Sequence, residues 1–191
     1  MSSIPIQLKF YKKLEFYQEL RRQNRRATNS ERLHDWENEK KILKWAARNH
    51  HHLNSRVSHD QLYWDAFADV RQEIEIEFKA IFAQFSEQQV KETVINHLKK
   101  KVGSLSAPCA NLYRRGYASD YQVSSGLIFT NEGLLMGEVI DECENGTPID
   151  AWKYPFFIVL VWATISSAAL ITIVSAINII WDISEDIEKH L

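Results

Sequence analysis

The chain has 191 residues, of which 45% are hydrophobic and 25% charged, and its formal net charge is −2. This apolar content is enough to bury a core, which excludes a fully disordered chain, and two cysteines are too few for a disulfide framework. The charge is unevenly distributed: residues 1–60 hold 13 Lys/Arg against 7 Asp/Glu, whereas residues 120–191 hold 2 against 11. The basic N-terminal region predicts an anionic partner, although solvated helix faces would produce the same imbalance.

Four arginines near the end of the first predicted helix are the first candidate binding residues. Apolar side chains at helical spacing predict a helix over residues 6–27, with the four arginines in its last two turns. Cations suit a helix C-terminus, and guanidinium groups also suit the phosphates of lipid headgroups or nucleic acid. We therefore predict that these arginines bind an anionic partner. They are Arg21, Arg22, Arg25 and Arg26.

Three further helix starts follow along the chain. Ser30 can cap a second helix. Residues 58–61 (SHDQ) and 86–89 (SEQQ) both match the S-x-x-Q pattern of a capping box. The first box predicts one helix over 58–84, although the alternation at 73–78 would also suit a strand. The second box predicts a helix that ends at three lysines. In the second helix, Leu33, Trp36 and Trp45 are available for burial. The apolar residues of the next two helices include Leu62, Phe67, Ile74, Ile81, Phe85, Val94, Ile95 and Leu98.

The next part of the chain has the pattern of a short helix, a hairpin and a helix. A helix over 104–115 precedes an extended stretch at 117–129. Pro108 fits that helix only within its first turn, where a missing N–H costs nothing. Thr130 or Asn131 can cap the helix that follows. The apolar face of that last helix holds Leu134, Leu135, Val139 and Ile140.

The phrases LYRRGY at 112–117 and TNEG at 130–133 resemble the second half of a winged helix-turn-helix domain, over about residues 87–145. In that family a recognition helix, a β wing and a helix opened by Thr-x-x-Gly follow one another. The resemblance implies that Arg114 and Arg115 end the recognition helix and contact an anionic partner. The extended stretch that would form the wing carries no basic residue, which a wing that grips phosphate needs. The resemblance therefore favours protein contact over nucleic-acid binding.

A long apolar stretch precedes the C-terminal residues. Residues 154–181 contain no charged side chain, and about 20 helical residues suffice to cross a bilayer core. Trp152, Tyr154 and Trp181 bracket the stretch, where amphipathic rings prefer the membrane interface. The sequence therefore predicts one transmembrane helix. The alternative, a buried core helix, would be unusual at this length without a charge.

Small residues recur every four positions along one face of the predicted span. Thr164, Ala168, Thr172 and Ala176 form this stripe, and Asn178 lies near it. Small side chains allow helix backbones to approach closely in lipid, and polar side chains can bond across the contact. We therefore predict that the span self-associates through these five residues.

The predicted organisation is a basic helical arm at 1–57, a helical, winged-helix-like domain at 58–146, a transmembrane helix at 154–181 and a short acidic tail at 182–191. The fold class is thus mainly α, with a small β-hairpin. The first residues do not form the apolar region of a signal peptide, so nothing visible would export the larger domain. We expect a single-pass protein of a bacterial-type inner membrane, with its N-terminal domain in the cytoplasm.

No catalytic motif was found: the sequence lacks G-x-S-x-G, a P-loop and H-E-x-x-H. We therefore expect no enzyme activity, cofactor or metal. The first hypothesis is a C-terminally anchored membrane protein whose cytoplasmic domain is a binding or regulatory module with an unknown protein partner. The second is a small membrane effector, of the toxin, phage-exclusion or abortive-infection type, that acts through oligomerisation of its span. The third is a membrane-tethered DNA-binding regulator.

Overall fold

The computed structural model describes residues 6–28, 30–49, 55–82, 84–146 and 148–189. They are mainly helical and include one two-stranded antiparallel hairpin, as predicted. The chain divides into two units, Met1–Gly146 and Thr147–Leu191. The elements of the first unit are α1 (Ile6–Arg26), α2 (Ser30–Arg48), α3 (His59–Ala66), α4 (Ala68–Glu77), α5 (Lys79–Phe82), α6 (Glu87–Val102), α7 (Ser106–Arg114), β1 (Ala118–Gln122), β2 (Gly126–Phe129) and α8 (Asn131–Asn145). The second unit contains α9 (Pro148–Lys189).

Helices α2 and α8 form the centre of the first unit. Gly137 of α8 lies so close to α2 that a Cβ added to it would be 2.1 Å from the Leu43 carbonyl oxygen. A glycine is therefore required where the two helix backbones meet. The apolar face predicted for α8 is buried against this centre, and Trp36, Ile42 and Trp45 of α2 are buried as well. Leu33, although available for burial by its spacing, does not join them, since it is 45% exposed.

Helix α1 packs against α8, so the segments predicted separately as 1–57 and 58–146 belong to one compact unit. Leu20 is buried, while Leu14 and Tyr17 are half-buried. The Trp36 indole also donates a hydrogen bond to the Asn24 side chain at 2.6 Å, which ties α1 to α2.

The single helix predicted over 58–84 is broken into α3, α4 and α5. Phe67 and Phe78 have non-helical dihedral angles, with φ −113° and ψ 39° at Phe67. The breaks redirect the chain, and Leu62, Phe67 and Ile74 are all buried. Ile81 and Phe85, which the sequence placed on the broad apolar face of that helix, remain 52% and 40% exposed.

Helix α6 follows the prediction closely. Ser86 accepts a hydrogen bond from the Gln89 amide, and the Gln89 side chain accepts one from the Ser86 amide, which completes the capping box. Ser58 caps α3 by accepting from the Gln61 amide. Pro108 is the third residue of α7, where its missing N–H leaves no helical hydrogen bond unmade.

The hairpin has one further backbone pairing that the sequence pattern did not indicate. Strands β1 and β2 are antiparallel, with Tyr121 opposite Leu127. Val57, which lies between α2 and α3, exchanges two backbone hydrogen bonds with Leu127 at 2.9 and 3.1 Å. Gly126 allows this approach: its φ is +101°, and a Cβ there would lie 1.8 Å from the Val57 carbonyl oxygen.

Helix α9 extends beyond both ends of the predicted span. It begins at Pro148, a residue suited to the first helical position, and continues through most of the predicted tail to Lys189. Within it, Tyr154–Ser175 has a mean hydropathy of 2.4 and is long and apolar enough to cross a membrane. Pro155 lies inside the helix, where its ring removes one backbone hydrogen bond.

Candidate anion-binding surface

Six of the 13 Lys/Arg of residues 1–60 are paired with carboxylates of α8. Lys13 lies 2.6 Å from a Glu142 oxygen, and Arg48 donates to both carboxylate oxygens of Asp141. The Arg48 guanidinium lowers the pKa of Asp141 below its usual value, as expected for a charge-assisted pair. The remaining pairs between α1 or α2 and α8 are Lys9–Glu138, Lys12–Glu132, Lys13–Glu138, Lys40–Glu144 and Lys44–Glu144.

The four arginines at the end of α1 are not part of this pairing. All four side chains are exposed. Arg22 lies 3.5 Å from Glu19 one turn earlier, and the Arg21 guanidinium lies 6.0 Å from the centre of the Tyr17 ring. Within the ranges that the structure describes, no carboxylate lies within 4 Å of Arg25 or Arg26. An i,i+3 contact on a helix surface is weak, so this end of α1 keeps a net positive charge.

The structure places Arg114 and Arg115 in different environments. Arg114 is exposed and donates only a long hydrogen bond, 3.5 Å, to the Asn111 side chain. Arg115 is half-buried, donates to Glu39 at 2.5 Å and stacks over the Trp36 ring at 5.4 Å. Arg115 therefore already has an anionic partner within the protein, whereas no carboxylate of the described residues pairs with Arg114.

Glu39 is the most deeply buried charged residue described in the first unit, with 1% of its surface exposed. Its oxygens accept from Arg115 and, at 2.9 Å, from the Asn111 amide. Burial raises the pKa of Glu39 to about 7, although the charge of Arg115 and the hydrogen bond from Asn111 act in the opposite direction. A buried carboxylate with two donors fixes those donors in place, because losing either leaves an unpaired buried charge.

A cleft connects these two groups of arginines. Its volume is about 260 Å³, and it lies where the end of α1, the start of α2 and the end of α7 meet. Arg26, Arg32 and Arg115 line it together with Asp35, Glu39 and Trp36. The structure thus brings Arg26 and Arg115 of the predicted set to one cleft. Arg21, Arg22, Arg25 and Arg114 do not line it.

Residues 87–145 form a helix, a helix, a hairpin and a helix in that order. Thr130 accepts a hydrogen bond from the Gly133 amide and donates one to the Gly116 carbonyl at 2.7 Å, which joins the end of α7 to the start of α8. The exposed residues of α7 include Ala107, Tyr113 and Arg114. That face therefore carries little positive charge.

The stripe on α9 is exposed at Thr164, Ala168 and Thr172. The Thr164 hydroxyl donates to the Leu160 carbonyl and the Thr172 hydroxyl to the Ala168 carbonyl, both at 2.9 Å. The threonine protons are thus satisfied within the helix itself. The side chains of the other two predicted residues, Ala176 and Asn178, lie outside those that the structure describes.

No protein-family model, curated protein or solved structure matches this chain. Among the described residues, no three His, Cys, Asp or Glu side chains group closely enough to hold a metal ion. The features that bear on function are therefore the exposed arginines of α1, the cleft and the apolar helix α9.

Sequence reasoning missed Arg32, Asp35 and Glu39. They lie in a run of alternating charges, SERLHDWENEKK, which is typical of a solvated helix face. The neighbouring Trp36 offers a weak signal, because a buried tryptophan on the same helix brings its flanking residues towards the core. Nothing in the sequence links them to Arg115, which is distant along the chain.

Proposed function

We propose that the protein is a single-pass membrane protein in which α9 anchors an N-terminal domain that binds an anionic partner. The anchor is supported by the length and hydropathy of Tyr154–Ser175. The cytoplasmic side of a bacterial-type inner membrane is the proposed location of the domain. Binding or regulation, rather than catalysis, is the proposed activity.

The observation that carries this proposal is the division of the N-terminal positive charge. Five lysines of α1 and α2 pair with carboxylates of α8, and Lys41 of α2 pairs with Asp69 of α4, so these charges contribute to the fold. Arg25 and Arg26, in the last turn of α1, are exposed and have no carboxylate within 4 Å among the described residues. Unpaired arginines favour an external anion, since a guanidinium presents several donors in a fixed geometry.

A heparin-binding experiment tests the proposal, with heparin as a model polyanion. The full chain in an uncharged detergent is compared with the double variants Arg25→Gln/Arg26→Gln and Lys79→Gln/Lys100→Gln. The second variant removes the same charge from two exposed lysines on α5 and α6. We expect the arginine variant to elute at clearly lower salt and to show a reduced salt dependence, while the lysine variant behaves like the parent. Equal losses in both variants would contradict a specific arginine surface.

The winged-helix-like segment is proposed to contact protein rather than DNA. The support is the exposed face of α7, where Ala107 and Tyr113 accompany a single cation, Arg114. Strand β1 contains no basic residue, and its Asp120 pairs with the nearby Arg56. A surface of this kind lacks the phosphate contacts that position a protein on DNA.

Self-association of α9 is a second proposal, which would make the protein a membrane effector. It rests on the exposed small-residue face at Thr164, Ala168 and Thr172. Because the two threonine hydroxyls donate within their own helix, close backbone packing would have to supply the association energy. Its test is given in the Discussion.

A further inference from the structure

The cleft between α1, α2 and α7 combines three arginines with a buried acid. We propose that it binds a phosphate group through Arg26, Arg32 and Arg115. This proposal rests on the proposed function in one respect, because Arg26 belongs to both the exposed arginine group and the cleft.

Three arginines from separate elements converge on the cleft. Arg26 is the last residue of α1, Arg32 lies in the first turn of α2 and Arg115 follows the last residue of α7, so three separate elements present guanidinium groups to one cleft. A phosphate has tetrahedrally arranged oxygens that can accept from several sides at once. A planar carboxylate would be satisfied by one or two of these arginines.

The size of the cleft supports the same ligand class. Its volume of about 260 Å³ lies below the roughly 300–1,000 Å³ of pockets that hold drug-sized molecules. It therefore suits free phosphate, or one phosphate group with a small substituent such as the headgroup of a phosphorylated lipid.

Two of the cleft arginines carry a positive charge that no described carboxylate pairs with. Arg26 and Arg32 are exposed, and within the described ranges neither has a carboxylate oxygen within 4 Å. Arg32 lies in the first turn of α2, where the helix dipole is positive and a cation is unfavourable. A bound anion would balance the charge of Arg26 and Arg32 and would offset the unfavourable interaction of Arg32 with the helix dipole. Asp35 also lines the cleft and opposes an anion, so its charge should limit the affinity.

Arg115 is held in place before any ligand binds. Glu39, which is almost fully buried, accepts from one nitrogen of its guanidinium, and Trp36 lies beneath the guanidinium plane. A guanidinium has five N–H donors, so this pairing leaves donors for a ligand. An arginine already held in place loses less conformational entropy when it binds.

Calorimetric titration of the full chain in an uncharged detergent tests the proposal, with inorganic phosphate as the probe and acetate as the carboxylate control. The cleft variant is Arg26→Gln/Arg32→Gln. The matched control is Lys79→Gln/Lys100→Gln, which removes two exposed lysines of α5 and α6 that do not line the cleft. We expect phosphate to bind more tightly than acetate. The cleft variant should lose at least about tenfold in phosphate affinity, while the control variant should change by less than about threefold.

A second pair of probes identifies the source of the phosphate. Short-chain phosphatidic acid presents a phosphate monoester, and short-chain phosphatidylserine presents an anionic headgroup without one. Phosphatidic acid that binds more tightly than inorganic phosphate, with the same loss in the cleft variant, would indicate a lipid headgroup. Equal or tighter binding of inorganic phosphate would indicate a soluble ligand.

The opposing charge of Asp35 provides an independent check. Asp35→Asn should raise phosphate affinity several-fold, since it removes the carboxylate that opposes the anion. A purely structural role for the cleft would not produce a gain in binding.

Three results would overturn the proposal: neither phosphate nor phosphatidic acid binds the parent, the cleft variant retains full binding, or cleft and control variants lose binding equally. Unfolding curves for each variant establish that folding is intact. Phosphate binding that persists while heparin binding fails would refute the proposed function and leave the cleft standing, and the converse result would refute only the cleft.

Discussion

Replacing Gly137 by alanine tests the packing of α2 against α8, because two physical effects predict opposite signs. In a helix interior, alanine is ordinarily more stable than glycine by roughly 0.5–1 kcal/mol. Here the added Cβ would lie 2.1 Å from the Leu43 carbonyl oxygen and 2.7 Å from its carbon. Ordinary van der Waals contact begins at 3.4 Å, so the helices must separate by about 1 Å, at an overpacking cost of about 1–3 kcal/mol. Backbone atoms cannot rotate away, so we expect a cost near the upper end of this range and, after the alanine preference is subtracted, a net loss of about 2 kcal/mol.

Urea unfolding of the full chain in detergent, followed by tryptophan fluorescence, measures this loss. Gly116→Ala is the control: its φ is +76°, but no atom lies within 4 Å of the added Cβ. That variant should lose only the backbone cost of about 1 kcal/mol. A Gly137→Ala protein that is as stable as the parent, or more stable, would refute the close contact.

Three further predictions concern a buried acid, a helix cap and the span. The free energy of unfolding of the parent should decrease as the pH rises from 4.5 to about 7, because burial makes Glu39 bind its proton more tightly in the folded protein than in the unfolded chain. Glu39→Gln should remove that decrease from urea midpoints measured across this pH range. Ser86→Ala should cost about 1 kcal/mol in the same assay, because its hydroxyl accepts from a helix amide, and an unchanged midpoint would discount the cap. Ala168→Leu/Thr172→Leu should abolish cross-linked oligomers in membranes, whereas Ser166→Leu, roughly 150° away on α9, should not; oligomers that survive the first pair of changes would refute self-association through the stripe.

Local sequence patterns predicted those helices whose apolar face is the face that packs into the core. The capping box at Ser86 and the apolar face of α8 are both properties of a short stretch of sequence. The breaks at Phe67 and Phe78 are different, because the surrounding residues favour a helix and only packing in three dimensions redirects the chain. The pairing of Val57 with Leu127 involves a single residue and has no periodicity to detect.

The uneven charge distribution is visible in the sequence, but the ion pairs that it forms within the protein are not. A basic N-terminal region indicated an external anion, whereas much of that charge is paired with α8, which belongs to the acidic part of the same chain. Such pairs depend on which helices become neighbours, which residue counts do not reveal. The cleft was unpredictable for the same reason, since Arg26, Arg32 and Arg115 come from three elements that only the fold brings together.

The central claim is that α9 anchors the arginine-bearing domain in a membrane. Alkaline carbonate extraction of membranes from bacteria that express either the full chain or residues 1–146 tests it most directly. The account predicts that the full chain stays in the membrane pellet, because a spanning apolar helix resists extraction, and that the shorter chain is released. Release of the full chain into the supernatant would contradict a spanning helix and with it the proposed anchor.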